Sequence, residues 1–417
     1  MNEKIAVVGA GMVGVCCALE MQRRGCNVTL IDRLEPGNET SYGNAGVVTR
    51  SSIVPINSPS LWKSLPSLLW NDKTSFRYNP FFLARNMGWA SQFLFNTQPS
   101  RFFKTVSALN DLISLSMSQH RELAQQASFS SHLREDGWIF LYRNQRSYLK
   151  GETGREMFEK FDVKSQSITM DELKDLEPSL KKIFTNALWI KDGFSVDDPR
   201  EFVRAYLDLF KRNGGTFLQG DVKNITQGEE QTVNFSQGTT QKFDRVIVCL
   251  GPWAKKFLEK MGYRLTMAYE RGYHMHYALN EASQLSRPVY DVDGGYVMAP
   301  MAQGLRVTTG VELSDIDAPH KYAQQTGAEK AAREALSFGE RLEETPWMGA
   351  RPTLPDSRPI IGALPGQDKV WFAFGHQHIG LSTGPGTAKV LGALMAKETP
   401  PIDADPFNAS RYLSKPR

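Results

Sequence analysis

The stretch Lys4-Ile-Ala-Val-Val-Gly-Ala-Gly-Met-Val-Gly14 decides the fold of this chain. Its first part, Lys4 to Val8, is a β-branched run long enough for one buried strand. After the glycines, residues 15–24 are predicted to form a helix that ends at Gly25, and residues 27–31 a second strand. The order strand, glycine turn, helix, strand predicts a βαβ unit that holds a dinucleotide.

Each glycine of this pattern has its own physical role. Gly9 allows the tight turn, Gly11 lets the backbone approach a pyrophosphate, and Gly14 lets the helix pack on the strand. The pyrophosphate is expected at the helix N-terminus, where unpaired N–H groups favour negative charge. Asp32 is expected to accept hydrogen bonds from a ribose and to disfavour a 2′-phosphate, a discrimination that neighbouring Arg33 weakens. FAD and NAD share this ADP half, so the pattern leaves the choice between them open.

Composition excludes several classes of protein. The 417 residues are 41% hydrophobic, which is enough for a packed core of two or three domains. Lys and Arg number 49 against 45 Asp and Glu, and this net charge of +4 has no long basic block, which argues against nucleic-acid binding. The four cysteines form no CxxC pair, so neither a disulfide framework nor a zinc ribbon is expected, and the thiols are expected to stay reduced in a cytoplasm.

A second glycine-rich stretch, Glu39-Thr-Ser-Tyr-Gly-Asn-Ala-Gly-Val-Val48, follows the βαβ unit. It is small and polar, which suits close passage of the backbone along a cofactor. Taken together, Gly9-x-Gly11-x-x-Gly14, Asp32-Arg33 and Thr40-Ser41-x-x-Asn44-Ala45-Gly46 resemble the FAD-dependent D-amino acid oxidase family. Within that family the chain is most similar to the bacterial D-amino acid dehydrogenases, with glycine and sarcosine oxidases as cousins.

The resemblance extends into the middle of the chain. Phe194-Ser-Val-Asp-Asp-Pro199 leads into an amphipathic stretch, residues 200–211, which is predicted to be helical. Family members place a helix and a strand here, and the resemblance implies that the backbone at Val222 contacts adenine. Residues 243–250 form an apolar run that predicts a buried strand, and the resemblance implies that Gly251 at its end lies against the cofactor.

The C-terminal part of the chain carries the most specific motif. Gly349-Ala-Arg-Pro-Thr-Leu-Pro-Asp356 is followed by the predicted strand 370–374, the glycine loop 375–386 and a helix predicted over residues 387–397. Such a helix can aim its positive N-terminus at the flavin N1–C2=O edge, which carries negative charge in reduced flavin, and this favours FAD over NAD. The cofactor contacts implied by the motifs and the resemblance are Gly9, Gly11, Met12, Val13, Gly14, Asp32, Arg33, Thr40, Ser41, Asn44, Ala45, Gly46, Val47, Val222, Gly251, Gly375, His376, Gly380, Leu381, Ser382 and Thr383.

Four residues are candidates for the reacting end of the site. In the family, the arginine of the Gly-x-Arg-Pro motif pairs with a substrate carboxylate, and this maps to Arg351, whose planar fork can bond both carboxylate oxygens. Tyr273 and His274 belong to the predicted strand 269–276, where alternation puts them on opposite faces, so both cannot face one pocket. Tyr296 is a candidate pocket lid. No acidic or cysteine partner stands at a spacing that would complete a metal site with the strand histidines.

The resemblance also implies a reaction and a mode of cofactor binding. The expected activity is oxidation of the CH–NH2 or CH–NH bond of a small amino or imino acid by hydride transfer to flavin N5, with O2 or a quinone as electron acceptor. The alternative is a flavoprotein that oxidises a side chain of a partner protein. Some family members attach flavin through a cysteine in the Arg-Pro region, but residues 351–386 contain none, so noncovalent FAD is predicted.

Residues 61–103 are rich in Trp, Phe and Leu and allow two interpretations. They can form a docking patch for a protein partner or a membrane surface, where a quinone would be met. They can equally be core of the substrate domain. Further along, residues 106–127 are predicted to be an amphipathic helix, and residues 171–177 a surface helix capped by Thr169.

We therefore predict an α/β fold in which a Rossmann-like FAD-binding domain is interleaved with an α+β substrate domain built on a mixed, largely antiparallel sheet. The FAD domain is expected to take residues 1–50, 194–255 and 345–417. The substrate domain is expected to take residues 51–193 and 256–344. The expected location is cytoplasmic, with a possible peripheral position at the inner membrane face.

Overall fold

The N-terminal βαβ unit forms as the glycine pattern predicts. In a computed structural model of the chain, strand β1 (Lys4–Val8) leads through a turn into helix α1 (Met12–Arg23) and strand β2 (Asn27–Asp32), which pairs with β1 in parallel. Gly9 makes the turn with φ of +108°, a conformation that L side chains rarely adopt. The helix begins three residues earlier than predicted, because residues 12–14 already form its first turn directly after the glycine loop.

The structure describes residues 3–68, 70–280 and 284–414. The helices in this part of the chain are α1, α2 (Leu61–Leu68), α3 (Pro80–Arg85), α4 (Met87–Phe95), α5 (Pro99–Gln126), α6 (Gln145–Lys150), α7 (Glu152–Lys160), α8 (Met170–Leu176), α9 (Pro199–Arg212), α10 (Ala254–Lys260), α11 (Ala323–Ala335) and α12 (Gly380–Met395). The strands after β1 and β2 are β3 (Val47–Thr49), β4 (Phe76–Tyr78), β5 (Trp138–Tyr142), β6 (Ser165–Ile168), β7 (Asn186–Ile190), β8 (Gly193–Ser195), β9 (Thr216–Gln219), β10 (Val222–Thr226), β11 (Gln231–Phe235), β12 (Thr240–Phe243), β13 (Arg245–Val248), β14 (Arg264–Leu265), β15 (Ala268–Tyr277), β16 (Val289–Asp291), β17 (Tyr296–Met301), β18 (Gly304–Thr309), β19 (Val311–Leu313), β20 (Trp347–Thr353), β21 (Ile360–Ala363), β22 (Val370–Phe374) and β23 (Leu413–Ser414).

A six-stranded sheet carries the nucleotide-binding edge. Its order is β21-β22-β13-β1-β2-β9, and all neighbours run parallel except β21 and β22. Both faces are covered, which explains why β1 is a continuous apolar run. Ile5 and Val7 pack into the cluster that includes side chains of α1, α5, α9 and α12, whereas Ala6 and Val8 pack against the β10–β12 sheet.

The structure contains a second, larger sheet. Its strand order is β4-β19-β15-β18-β17-β16-β5-β7-β6, and β20 pairs with β15 away from this path. The neighbours are antiparallel except for β4 with β19 and β5 with β16, which run parallel. The predicted fold class is therefore confirmed: a Rossmann-like parallel sheet is combined with an α+β part whose sheet is mixed and largely antiparallel.

The exact division of the chain into domains stays a prediction. Strand β20 falls in residues 345–417, which are predicted to belong to the FAD domain. In the structure it pairs with β15 over seven residues, Ala268 to His274, and so extends the second sheet. The C-terminal motif thus connects the two sheets, because β21 and β22 follow it in the first.

Most of the predicted helices form close to their predicted bounds. Helix α9 begins after Asp198, whose side chain accepts hydrogen bonds from the backbone N–H groups of Arg200 and Glu201. Helix α5 contains nearly all of the predicted helix 106–127. Thr169 and Glu172 form the predicted capping box at the start of α8.

The aromatic segment 61–103 divides between core and surface. Phe82 and Trp89 are buried, with 1% and 4% of their surface exposed. Trp62, Trp70 and Phe81 lie on the outside, and the last two are each 81% exposed. Within the described ranges, none of the helices combines the length and apolarity needed to cross a membrane.

Candidate active site

A long cavity runs from the carboxyl ends of β1 and β2 to the strand pair β15–β20. Its volume is about 1880 Å³, well above the roughly 300–1,000 Å³ of a pocket for a drug-sized ligand. Its walls come from both sheets and from the loops that follow β1, β2, β13 and β22. A cavity of this size suits an extended dinucleotide together with a second, small molecule.

The nucleotide end of the cavity is shaped by glycines, which leave space where other residues would place a side chain. A Cβ atom at Gly11 would lie 3.2 Å from Oγ of Ser41, inside the narrow approach to the start of α1. Ser41 itself accepts a hydrogen bond of 3.1 Å from the backbone N–H of Met12. A Cβ at Gly14 would lie only 1.7 Å from the carbonyl oxygen of Gly9, so this glycine allows α1 to pack against the turn. These positions fit the roles that the sequence pattern assigns to the three glycines.

Asp32 lies at the end of β2 and lines the same end of the cavity. Its Oδ2 accepts a hydrogen bond of 2.6 Å from the N–H of Ala10, and its Oδ1 accepts one of 3.1 Å from the N–H of Leu34. Burial raises the pKa of Asp32, while these two N–H groups oppose the rise. Each carboxylate oxygen retains a lone pair with which it can accept a ribose hydroxyl.

Arg33 also lies at the nucleotide end of the cavity. Its guanidinium lies 4.4 Å from the ring centre of Trp253 and donates a hydrogen bond of 2.6 Å to Glu39. Both Arg33 and Trp253 line the cavity. Sequence reasoning did not single out Trp253, although it directly follows the Gly251-Pro252 turn that marks the end of a strand.

The loop over residues 40–47 is held in place by hydrogen bonds to the second sheet and the C-terminal loop. Asn44 donates through Nδ2 to the carbonyl of His378 at 3.2 Å and accepts at Oδ1 from the N–H of Gly46 at 2.8 Å. The buried guanidinium of Arg306, on β18, donates to the carbonyls of Tyr42 at 2.8 Å and Asn44 at 2.6 Å. Arg306 is far from this loop in the sequence, so no local pattern could have revealed its role.

Helix α12 points its N-terminus into the cavity. It begins at Gly380 and continues through Pro385, whereas the sequence predicted a helix only from residue 387. The prediction missed this first part because glycine and proline disfavour helices in isolation, while tertiary packing stabilises them here. His376 lies just before the helix and bonds to Thr387 at 3.0 Å. Burial lowers the pKa of His376 to about 3, so its ring is neutral near neutral pH.

Most of the predicted cofactor residues line the cavity. Those in its wall are Gly9, Gly11, Met12, Val13, Asp32, Arg33, Thr40, Ser41, Asn44, Ala45, Val47, Val222, Gly251, His376, Gly380, Leu381 and Ser382. Gly14, Gly46, Gly375 and Thr383 lie behind the wall. Gly46 and Gly375 allow turns of the backbone, since both have positive φ. Thr383 donates its hydroxyl to the carbonyl of Ile379.

Arg351 lies at the other end of the cavity, on β20. The strand pairing puts it opposite Glu270 of β15, and puts Gly349 opposite Gly272. Nη1 of Arg351 donates to the carbonyl of Gly310 at 3.3 Å, and this is the one hydrogen bond of its guanidinium found within the described residues. Burial lowers the pKa of Arg351 and nearby Glu270 opposes the shift, but an arginine remains a cation in proteins. The site therefore presents a partly buried cation with unused donors to a ligand.

Of the other three reacting-end candidates, the structure places only Tyr273 in the cavity wall. Tyr273 contributes to the cavity wall, but its hydroxyl donates to Glu312 at 2.7 Å and accepts from Arg271, on the strand face opposite Arg351. His274 lies behind the wall, because the indole of Trp347 stacks on it with ring centres 4.8 Å apart. Tyr296 also lies outside the wall.

Tyr296 is buried in the second sheet, where its hydroxyl donates to the carbonyl of Ala331 at 3.2 Å. It therefore forms no lid over the cavity. The expectation failed because Gly294-Gly295 before it forms a turn that sends the strand into the sheet, with φ of +67° at Gly295. The residue that shares the cavity wall and the strand face with Arg351 is Trp347, four positions earlier, which strand alternation could have identified.

These features fit FAD as the ligand of the cavity. The glycine cradle, the acid at the end of β2 and the N-terminus of α12 all line the cavity that Arg351 also lines. A metal centre has less support, since no group of three or more His, Cys, Asp or Glu side chains in the described part of the chain could hold an ion.

Comparisons with known proteins agree with this assignment. Residues 4–394 match the model of a family described as FAD dependent oxidoreductase. A D-amino-acid oxidase from Bradyrhizobium diazoefficiens is 27% identical over 98% of this chain and 99% of its own length. A D-amino acid dehydrogenase from Vibrio vulnificus is 24% identical over 95% of this chain and 96% of its own. The fold matches the crystal structure of glycine oxidase from Geobacillus kaustophilus with a TM-score of 0.74 at 18% identity, covering 98% of this chain and 99% of that one.

Proposed function

This chain belongs to the FAD dependent oxidoreductase family, and we propose that it oxidises the CH–NH2 or CH–NH bond of a small free amino acid or imino acid. The family and the relatives named as D-amino-acid oxidase and D-amino acid dehydrogenase make it an FAD-dependent oxidoreductase of amino acids or amines. The proposal adds the class of substrate and the roles of this chain's own residues.

The single observation that carries the proposal is the position of Arg351. A partly buried guanidinium whose unused donors line a cavity attracts an anion, because charge-assisted hydrogen bonds are stronger than neutral ones. Arg351 lines the end of the cavity opposite the nucleotide cradle and has one described protein hydrogen bond, to Gly310. An α-carboxylate supplies two oxygens in the geometry that a guanidinium fork bonds best.

The chemistry proposed at this site is amine oxidation at the substrate Cα. When bound, FAD supplies a two-electron acceptor for the hydride that leaves Cα. Arg351 holds the carboxylate and thereby fixes the orientation of the Cα–H bond, so positioning accounts for most of the rate enhancement. The amine lone pair forms the iminium as the hydride leaves, and water then hydrolyses the imine to an oxo acid and ammonia or, for a secondary amine, the corresponding primary amine.

No side chain in the wall is needed as a general base. His376 lines the cavity, and burial lowers its pKa to about 3, so its ring is a weak base at neutral pH. The amine is therefore proposed to bind in its neutral form after losing its proton to solvent. This arrangement predicts that activity rises as the substrate ammonium is deprotonated.

The electron acceptor is proposed to be O2 or a quinone, and the aromatic segment 61–103 bears on the choice. Trp70 and Phe81 are each 81% exposed, and Lys63 and Lys73 of the same segment line the cavity mouth. An exposed apolar patch beside basic side chains suits a partner protein or a membrane surface, where a quinone would be available. The cytoplasmic location stays a prediction.

The experiment that tests the function is an anaerobic reduction screen. The purified flavoprotein is mixed with D-amino acids, D-proline analogues, glycine and sarcosine, and the loss of oxidised flavin absorbance is followed. We expect at least one member of the panel to bleach the flavin within seconds to minutes. If flavin is bound and no free amino acid reduces it, oxidation of a side chain on a partner protein becomes the better description.

A further inference from the structure

The floor of the cavity beside Arg351 is made by two facing glycines. Gly272 of β15 lies directly opposite Gly349 of β20 in the strand pairing. A Cβ at Gly272 would lie 2.4 Å from Nη2 of Arg351, and a Cβ at Gly349 would lie 2.1 Å from the indole of Trp347. The guanidinium and the indole therefore cover adjacent places on one floor, since facing residues in an antiparallel pair have Cβ positions only about 5 Å apart.

The indole of Trp347 packs closely against the backbone at two glycines, Gly43 and Gly349. A Cβ at Gly43, in the cofactor loop, would lie 2.0 Å from the same ring. Glycine at both Gly43 and Gly349 is thus what allows an indole to fit between the loop and the strand. A ring confined in this way cannot rotate without moving one of the two backbones.

Aromatic rings support Trp347 from behind. His274 stacks on the indole at 4.8 Å with an interplanar angle of 18°, and Tyr42 meets it edge-on at 5.8 Å. The ring nitrogens of His274 have no hydrogen-bond partner among the described residues, and the side chain is 1% exposed. Trp347 is what separates this unpartnered imidazole from the cavity.

We propose that Trp347 is a specificity-determining residue that sets the upper size limit of the substrate side chain. This inference rests on the proposed function, because it takes Arg351 as the anchor of the substrate carboxylate. A ligand bonded to Arg351 has the indole as its lateral neighbour, because the two side chains cover facing glycines of the same strand pair. A rigid indole there leaves room for the side chain of alanine, for a proline ring or for none, and obstructs an aromatic side chain.

Substrate ratios test the size limit. The ratio of kcat/KM for D-phenylalanine to that for D-alanine is measured in the wild type and in Trp347→Ala. We expect the wild type to prefer D-alanine and the variant to raise the ratio at least about tenfold, since one methylene of fit is worth roughly 10- to 200-fold. Trp347→Phe, which retains part of the wall, should give an intermediate ratio. The matched control is Trp189→Ala, a half-buried tryptophan of the same sheet outside the cavity, which should leave the ratio unchanged.

Binding of carboxylates gives a second readout that needs no turnover. Acetate and phenylacetate are titrated into the flavoprotein, and dissociation constants are taken from the change in flavin absorbance. The wild type should bind acetate more tightly than phenylacetate. Trp347→Ala should shift the ratio of the two dissociation constants in favour of phenylacetate by at least about tenfold. Trp347→Leu, which retains apolar packing against Gly43, replaces the alanine variant if that variant loses its flavin.

The outcomes separate this inference from the proposed function. If the wild type oxidises no free amino acid but the carboxylate ratio shifts as expected, the function is wrong and the size limit stands. If the wild type oxidises amino acids but prefers aromatic ones, or if both ratios are unchanged in the variants, Trp347 does not set the limit.

Discussion

A Cβ atom added at Gly272 would lie 2.4 Å from Nη2 of Arg351, across the β15–β20 pair. Heavy atoms that are not bonded cannot approach so closely, so the guanidinium occupies the place that a side chain at residue 272 would take. The candidate substrate anchor is thus positioned by a glycine that makes no hydrogen bond to it. The same relationship places the end of the Arg351 side chain over Gly272, in the cavity wall.

Gly272→Ala is therefore expected to impair the site without removing the cofactor. The added methyl group displaces the guanidinium, and kcat/KM for an amino acid substrate should fall at least about tenfold, a partial loss of a charged hydrogen-bonded contact. Steady-state kinetics with the best substrate of the anaerobic screen measures the loss. Gly88→Ala is the control, because a Cβ there meets no atom within 4 Å. Kinetics equal to the wild type would contradict this account of Gly272.

Arg351→Ala removes the proposed carboxylate anchor. We expect a loss of about 2–5 kcal/mol in transition-state stabilisation, the range for truncating one partner of a buried charge pair, measured as a fall in kcat/KM. Arg351→Lys should recover only part of it, because an ammonium cannot form the bidentate fork. Arg204→Ala, an exposed arginine of α9, should behave as the wild type. A kcat/KM preserved in Arg351→Ala would take this residue out of the substrate site.

Gly11→Val tests the nucleotide cradle. Even a Cβ at Gly11 comes within 3.2 Å of Oγ of Ser41, and the two methyl groups of valine fill the approach to the start of α1. The variant should purify without flavin, as judged by the ratio of flavin to protein absorbance. Gly88→Val, at a position outside the cavity wall where a Cβ meets nothing within 4 Å, should retain the wild-type ratio. A yellow Gly11→Val protein would mean that the cofactor binds elsewhere.

The cofactor should leave the protein on denaturation. Residues 351–386 contain no cysteine, and the buried Cys16 and Cys17 do not line the cavity. Acid precipitation is therefore expected to release all flavin into the supernatant, and mass spectrometry of the chain should give the mass of the unmodified polypeptide. Flavin that stays with the precipitate would point to a covalent bond that the sequence gives no reason to expect.

The stability of the protein should fall in acid because His120 is buried in its neutral form. Its ring bonds to the hydroxyl of Tyr206 and the carbonyl of Leu381, and burial lowers its pKa to about 3, against about 6.5 in an unfolded chain. Between these values the unfolded chain binds a proton that the folded protein does not. The free energy of unfolding therefore decreases as pH falls below about 6.5, by about 1.4 kcal/mol per pH unit for one such histidine.

Urea denaturation between pH 6.5 and pH 5 measures this slope. His120→Gln, which retains a polar side chain but cannot titrate in this range, should show a shallower dependence on pH than the wild type. His132→Gln is the control, since that side chain lies on the exterior beside α5. Equal slopes for the wild type and His120→Gln would show that this ring gains its proton in the folded state as well.

Local patterns predicted much of this architecture because the relevant contacts are close in sequence. The turn at Gly9, the strand pair β1–β2 and the capping box at Thr169 depend on residues within about thirty positions of one another. Helix α12 was predicted only in part, since Pro385 and the glycines around it are stabilised by packing rather than by propensity.

The sequence by itself determined the nucleotide cradle, the fold class and the arginine of the C-terminal motif, because each depends on short-range geometry or on a motif with a fixed spacing. Only the tertiary structure decided which candidate residues lie together in the site. Strand pairing between residues about eighty positions apart put Gly272 beside Gly349, turned the phenol of Tyr273 away and placed Trp347 in front of His274. Such registers are set by packing of whole sheets, which no local pattern of residues encodes.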